Sequence, residues 1–142
     1  MTVKEYLSQP MALLEEIRCD LDNLAALRSI VEKTTTSLSF TTGCNPSKDP
    51  YAFENTMLDI QEEEGKIREK TERLKKLLLE IAGQINQVPG RYSARLLRLH
   101  YLEGKTWRQV AAELDVSYMY VFELHRAAIR DFEKVLAFLS DS

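Results

Sequence analysis

Apolar residues return every three or four positions near the start of the chain, at Leu14, Ile17, Leu21, Leu24 and Val31, with Leu13, Leu27 and Ile30 widening the stripe and Arg28 interrupting it. That period predicts an amphipathic helix over about residues 10–32. Pro10 suits the first turn of such a helix, where a missing N–H costs no hydrogen bond. Residues 2–8 are then either a separate short helix or a kinked extension. The pattern lapses at residues 34–50, TTTSLSFTTGCNPSKDP, where hydroxyl side chains compete with helical backbone bonding. A loop is expected there, either partly disordered or wrapped across the helices with Leu38 and Phe40 as anchors.

A second and stronger pattern fills residues 51–88. Phe53, Met57, Ile60, Glu64, Ile67, Thr71, Leu74, Leu78, Ile81, Ile85 and Val88 step by alternating four and three, and nine of these eleven positions are apolar. This is the seam of a coiled coil, on a helix extending roughly 55 Å at about 1.5 Å per residue. The helix is about fifteen residues longer than the first one predicted, so a simple antiparallel hairpin leaves part of its seam uncovered. The remainder calls for a second chain, the C-terminal segment, or both, and Met57, Ile60, Ile67, Leu74, Leu78, Ile81 and Ile85 are the candidate oligomerisation residues. Glu64 and Thr71 on the seam either fix register or mark where the loop crosses. Pro89-Gly90 then ends the helix. Two parts are predicted: a helical coiled-coil stalk over residues 1–88 and a module over residues 89–142.

The module reads RYSARLLRLHYLEGKTWRQVAAELDVSYMYVFELHRAAIRDFEKVL. A first amphipathic helix is expected over residues 91–102, closed by Gly104. Thr106 with Gln109 three residues on has the form of a capping box and opens a short helix over Trp107–Leu114. Asp115-Val116-Ser117 makes the turn, since Asp tolerates a left-handed backbone and Ser caps the next helix. Two short helices joined in this way form a helix-turn-helix. Val110, Ala111, Leu114, Val116, Val121, Leu124 and Ala128 fall on the buried sides, and Tyr118, Met119, Phe122, Glu123 and Arg126 on the remaining face of the last helix.

Residues 91–136 resemble region 4 of bacterial sigma factors in the arginine-rich helix, the acidic-Gly joint, the helix ending in Leu and the Val-Ser turn. From MTVKEYLSQ through LSFTTG to YLEGKTWRQVAAEL and VFELHRAAI, the chain resembles a phage and prophage family of Gram-positive bacteria described as sigma-70 region-4-like. Asp115 departs from the glycine usual at that turn. The fold class expected is all-α: a long antiparallel two-helix coiled-coil stalk followed by a C-terminal helix-turn-helix. The resemblance implies a sequence-specific transcriptional regulator that binds double-stranded DNA, with Lys105, Thr106, Arg108 and Gln109 toward phosphates and Tyr118, Met119, Phe122, Glu123 and Arg126 toward bases. Elementary chemistry agrees in part. Arg126 can pair with guanine, Glu123 can accept from cytosine, and Met119 or Phe122 can meet a thymine methyl. Arg91, Arg95 and Arg98 form a basic stripe suited to phosphates, and Ser117 caps the reading helix. The same face is rich in aromatics and Met, as protein interfaces are. The alternative is therefore an adaptor whose module binds RNA polymerase or another regulator without reading bases.

Charge restricts where DNA can be met. The formal net charge is −3, divided as −4 over residues 1–90 and +1 over residues 91–142, so any DNA contact belongs to the C-terminal part. No nucleophile, paired-carboxylate, phosphate-loop or metal-ligand constellation stands out, so neither catalysis nor a cofactor or metal is expected. His100 and His125 have no further ligand at metal spacing and are read as packed histidines, and Cys19 and Cys44 as free thiols. No membrane span or signal peptide is legible, which points to the cytoplasm of a bacterial host, and the stalk predicts a homodimer or homotetramer.

Overall fold

In the computed structural model residues 1–40 and 51–141 are described. They form five α-helices, α1 (Val3–Phe40), α2 (Ala52–Ile85), α3 (Ser93–Leu97), α4 (Trp107–Leu114) and α5 (Tyr118–Ser140), and a π-helical turn at Arg98–Leu102, with no strand among them. Residues 41–50, with Cys44, and the side-chain role expected of Leu38 and Phe40 lie outside the described residues.

The first helix is longer than the pattern predicts at both ends. Pro10 sits inside α1, not at its start. An interior proline removes one backbone hydrogen bond and costs about 3 kcal/mol, but the apolar stripe runs straight through it: Leu7, Pro10, Leu13, Ile17 and Leu24 are all buried. Tertiary burial thus overrides the local preference. The helix also has its own start signal, a capping box in which the backbone N–H of Glu5 donates to Thr2 Oγ1 and that of Thr2 to the Glu5 carboxylate, both at 3.2 Å. At the other end helix replaces the loop expected over residues 34–40. Hydroxyl side chains are accommodated in α2 by donating to the carbonyl four residues back, as Thr56 does to Ala52 and Thr71 to Ile67. With 38 residues in α1 and 34 in α2, the first helix is not the shorter one, and the argument that an uncovered seam demands a second chain loses its premise.

The chain divides into two compact units, one of residues 15–73 and one of residues 1–14 with 74–142. The division falls elsewhere than at Pro89. In the first unit α1 and α2 run antiparallel, as their ion pairs record: Lys70 lies 2.7 Å from Asp20 and 3.7 Å from Glu16, and Arg28 lies 2.9 Å from Glu64. Glu64 therefore answers Arg28 across the pair, an exposed contact that contributes within about 1 kcal/mol and mainly selects register. Ile17, Leu24 and Ile60 are buried, whereas Leu21, Ile30, Phe53, Met57 and Leu58 are exposed.

The second unit holds the main core. Leu7 from α1, Ile81 and Ile85 from α2, Leu96 and Leu97 from α3, Val110 from α4 and Ala128 and Phe132 from α5 are buried together. Val88 lies beyond the end of α2 and is still buried. The Tyr6 hydroxyl donates to Gln84 Oε1 at 2.7 Å, and its ring lies 6.2 Å from that of Phe132. Ile81 and Ile85, expected at an oligomer seam, are thus consumed inside the chain, and so is Ile60 in the other unit. Met57 is exposed, and Ile67, Leu74 and Leu78 are half-buried.

Leu7→Ala is expected to lower the stability of the C-terminal unit by about 2–5 kcal/mol, the cost of emptying a packed leucine site. Trp107 is the one tryptophan in the sequence and belongs to that unit, so its fluorescence during urea unfolding reads the effect. An unchanged midpoint would separate the N-terminal turns from this core.

Candidate nucleic-acid interface

The helices that carry the candidate residues are set by local signals. Thr106 and Gln109 close a reciprocal capping box at the start of α4: Thr106 N donates to Gln109 Oε1 at 2.9 Å and Gln109 N to Thr106 Oγ1 at 3.2 Å. At its other end Asp115 takes the left-handed conformation, φ 56° and ψ 47°, and Ser117 Oγ accepts from Tyr120 N at 3.1 Å to cap α5. Before α4 the expected helix over residues 91–102 starts two residues later, at Ser93, and its second half widens into the π turn. Gly104 follows with φ 73°, and a Cβ there would stand 3.1 Å from Met11 Sδ. The backbone conformation is the one that favours glycine, while the Met11 side chain would have to yield slightly to a Cβ.

Of the candidate phosphate contacts, several are already engaged. The Lys105 ammonium pairs with Glu113, which raises its pKa. Arg98 is half-buried and donates to Asn86 Oδ1. Arg91 stands 5.8 Å from the ring of Tyr92, and Arg108 lies 4.9 Å over the ring of Tyr118, a cation–π contact that joins α4 to the first turn of α5. Arg95 is exposed. The unit formed by residues 1–14 and 74–142 holds eleven Lys/Arg against nine Asp/Glu, net +2, while residues 15–73 hold eight against thirteen, net −5. Lys4, Lys75 and Lys76 thus make the unit somewhat more basic than residues 91–142 alone.

The face of α5 separates into two parts. Phe122 turns inward, its ring 5.1 Å from Tyr118 edge-on and 5.9 Å from Trp107. Met119, Glu123 and Arg126 are exposed at spacing i, i+4, i+7. Arg130, exposed at i+11, continues that stripe and was legible from its spacing to Arg126. Tyr118 is 42% exposed, Met119 77% and Tyr120 47%, which leaves an apolar patch at the N-terminal end of α5.

Behind this face lies a ring cluster. His100 stacks on Trp107 at 3.7 Å, and its Nδ1–H donates to the carbonyl of Lys105 at 2.8 Å, tying the joint between the π turn and α4 to the cluster. His125 is buried, 4.6 Å from Trp107, and shares a 2.7 Å hydrogen bond between its Nε2 and the Tyr101 hydroxyl. Burial, reinforced by the positive charge of Lys4 and by His100, pulls His125 down to about 4. Burial also lowers His100, against the pull of the Lys105 carbonyl, and pushes Tyr101 up to about 12. The histidines are packed and hydrogen-bonded, and no group of three or more His, Cys, Asp or Glu among the described residues is placed to hold a metal. Nor is any described helix long and apolar enough to cross a membrane. Comparisons with protein-family models, with curated proteins and with solved structures found no match.

His125 makes the stability of this unit depend on pH. Unfolded, the imidazole titrates near 6.5, and folded it titrates near 4, so the unfolded chain holds more protons between these values. Its stabilising contribution is complete above pH 6.5 and is lost as pH falls toward 4, on the order of 2 kcal/mol between pH 7.5 and 5. In His125→Gln most of that dependence should vanish, with a smaller remainder from His100. Urea midpoints by circular dichroism at the two pH values measure it. Equal slopes in wild type and variant would contradict this assignment.

Proposed function

We propose that the chain is a sequence-specific DNA-binding transcriptional regulator of phage or prophage origin, acting in the cytoplasm of a bacterial host as a homodimer or homotetramer. In this reading α4 and α5 are a helix-turn-helix of the sigma-region-4 kind, carried by a coiled-coil stalk, and the protein has no catalytic role. The observation that carries the reading is the α4–α5 joint. A capped eight-residue helix, a left-handed Asp115 and a serine-capped 23-residue helix aim a stripe of Met119, Glu123, Arg126 and Arg130 outward, as a helix entering a major groove requires. Arg126 donates to guanine, Glu123 accepts from cytosine N4, and Met119 meets a thymine methyl. Arg91, Arg95 and Arg108 grip phosphates, and Arg98 and Lys105 join them once their pairs with Asn86 and Glu113 open. Thr106, Gln109 and Ser117 act chiefly by shaping the helix ends. The Tyr118 ring holds Arg108 against α5 and so orients it toward the backbone.

A second reading is supported by the exposed Tyr118, Met119 and Tyr120, residue types enriched at protein interfaces. There the module is an adaptor that binds RNA polymerase or another regulator through this patch and leaves bases unread.

Duplexes selected from a random-sequence pool, titrated by fluorescence anisotropy at two salt concentrations, separate the two. DNA reading through about four phosphate contacts gives a salt slope of about −3 to −4. Arg126→Ala is then expected to cost about 1–3 kcal/mol and relax one base preference, and Arg108→Ala to weaken all sequences alike and flatten the slope by about one. Absence of salt-sensitive binding to any duplex would remove the DNA reading and leave the adaptor, for which Tyr118→Ala and Met119→Ala abolish capture of polymerase.

A further inference from the structure

Where the link after α2 passes the last turns of α5, Gln87, Pro89, Asp131, Lys134, Val135 and Phe138 line a groove of about 350 Å³. Phe138 stands at its edge, 70% exposed, and Val135 forms the buried floor. Asp131, Lys134 and Phe138 follow one another at i, i+3 and i+7 and share one side of α5. Among the described residues neither Asp131 nor Lys134 has an ion-pair partner within the chain.

We infer that this groove is a contact face for a second copy of the chain, with Phe138 of each protomer entering the groove of the other. The patch contains both halves of its own complement: a projecting ring and a groove to receive it, an acid and a base. A two-fold axis brings unlike members of such a set together, because residue i then meets j while j meets i. Asp131 faces Lys134 of the partner subunit on both sides of the axis, and two neutralised pairs flank two buried rings. A partner of uniform charge would satisfy only one of the two ions, which is why the groove fits a second copy best. The two rings cover about 300–500 Å² between them, well short of the roughly 1,200–2,000 Å² of a stable interface. The association is therefore weak in free solution and depends on concentration. The inference rests on the homodimer part of the proposed function and is independent of whether the module reads DNA.

Sedimentation velocity of the full chain, from micromolar to near-millimolar concentration, tests it through a charge exchange. Asp131→Lys and Lys134→Asp should each weaken dimerisation by about tenfold or more, since each sets like charges against each other twice. The double reversal should restore the wild-type constant, and Phe138→Ser should leave a monomer. Leu58→Glu on the other unit, also exposed, should change nothing. A monomer at every concentration, a double reversal no better than the singles, or a dimer dissolved by Leu58→Glu alone would each overturn the inference. Anisotropy on single half-site duplexes keeps the two proposals apart. A Phe138→Ser monomer that still binds DNA supports both, whereas a wild-type dimer that obeys the charge exchange but binds no duplex sinks only the DNA reading.

Discussion

The C-terminal unit depends on the burial of Phe132 against Leu7, Ile81 and Ile85, four side chains with no accessible surface from three helices far apart in sequence. None of the short helices α3 and α4 is long enough to be stable alone in water. They hold because α5 supplies a continuous apolar side and because the first turns of α1 and the last turns of α2 close the core from behind. The consequence reaches the candidate interface directly. Met11 packs on Gly104, and Lys4 adds its charge to the surroundings of His125, so the N-terminal turns set the joint that leads into α4.

What the sequence reveals, and what it hides, follows from the range of the forces involved. The capping box at Thr106, the left-handed Asp115, the Ser117 cap and the buried Val110, Ala111, Leu114, Val121 and Ala128 are all legible, because each is decided within a few residues. Pro10 misleads because its local cost is real, and the distant partners of Leu7 reverse the outcome. The run of hydroxyl residues over 34–37 favours turns locally and so conceals the helix there. The capping signal at Thr2 and Glu5 is local, and the proline eight residues on points to a later start. The π turn at Arg98–Leu102 has no local marker in RLHYL. It widens the helix where Leu99 and Tyr101 must both reach the core while His100 faces Trp107.

The candidate site shows the same division. Spacing identifies which residues share the outward side of α5, yet it cannot tell a free cation from one already satisfied. Lys105 and Arg98 look like phosphate ligands in one dimension and are paired with Glu113 and Asn86 in three. Phe122 looks like a reading residue and belongs to the ring cluster behind the face. An aromatic side chain one position from the helix midline can turn either way, and here it lies against the rings of Trp107 and Tyr118.

The closure of the core by α1 also bears on how the chain is made. Leu7 and Phe132 are separated by about 125 residues, which at a synthesis rate of roughly 5–20 residues per second is an interval of some six to twenty-five seconds. Within that time the pairing of α1 with α2 over residues 15–73 can form, since its contacts involve only chain already emerged. Leu7 meets Ile81 and Ile85 of α2 in the same interval, but its core is closed only when Phe132 of α5 leaves the ribosome. Turns made well before α5 are thus among the last to be fully buried, and nascent chains halted before α5 leave that core open to chaperones.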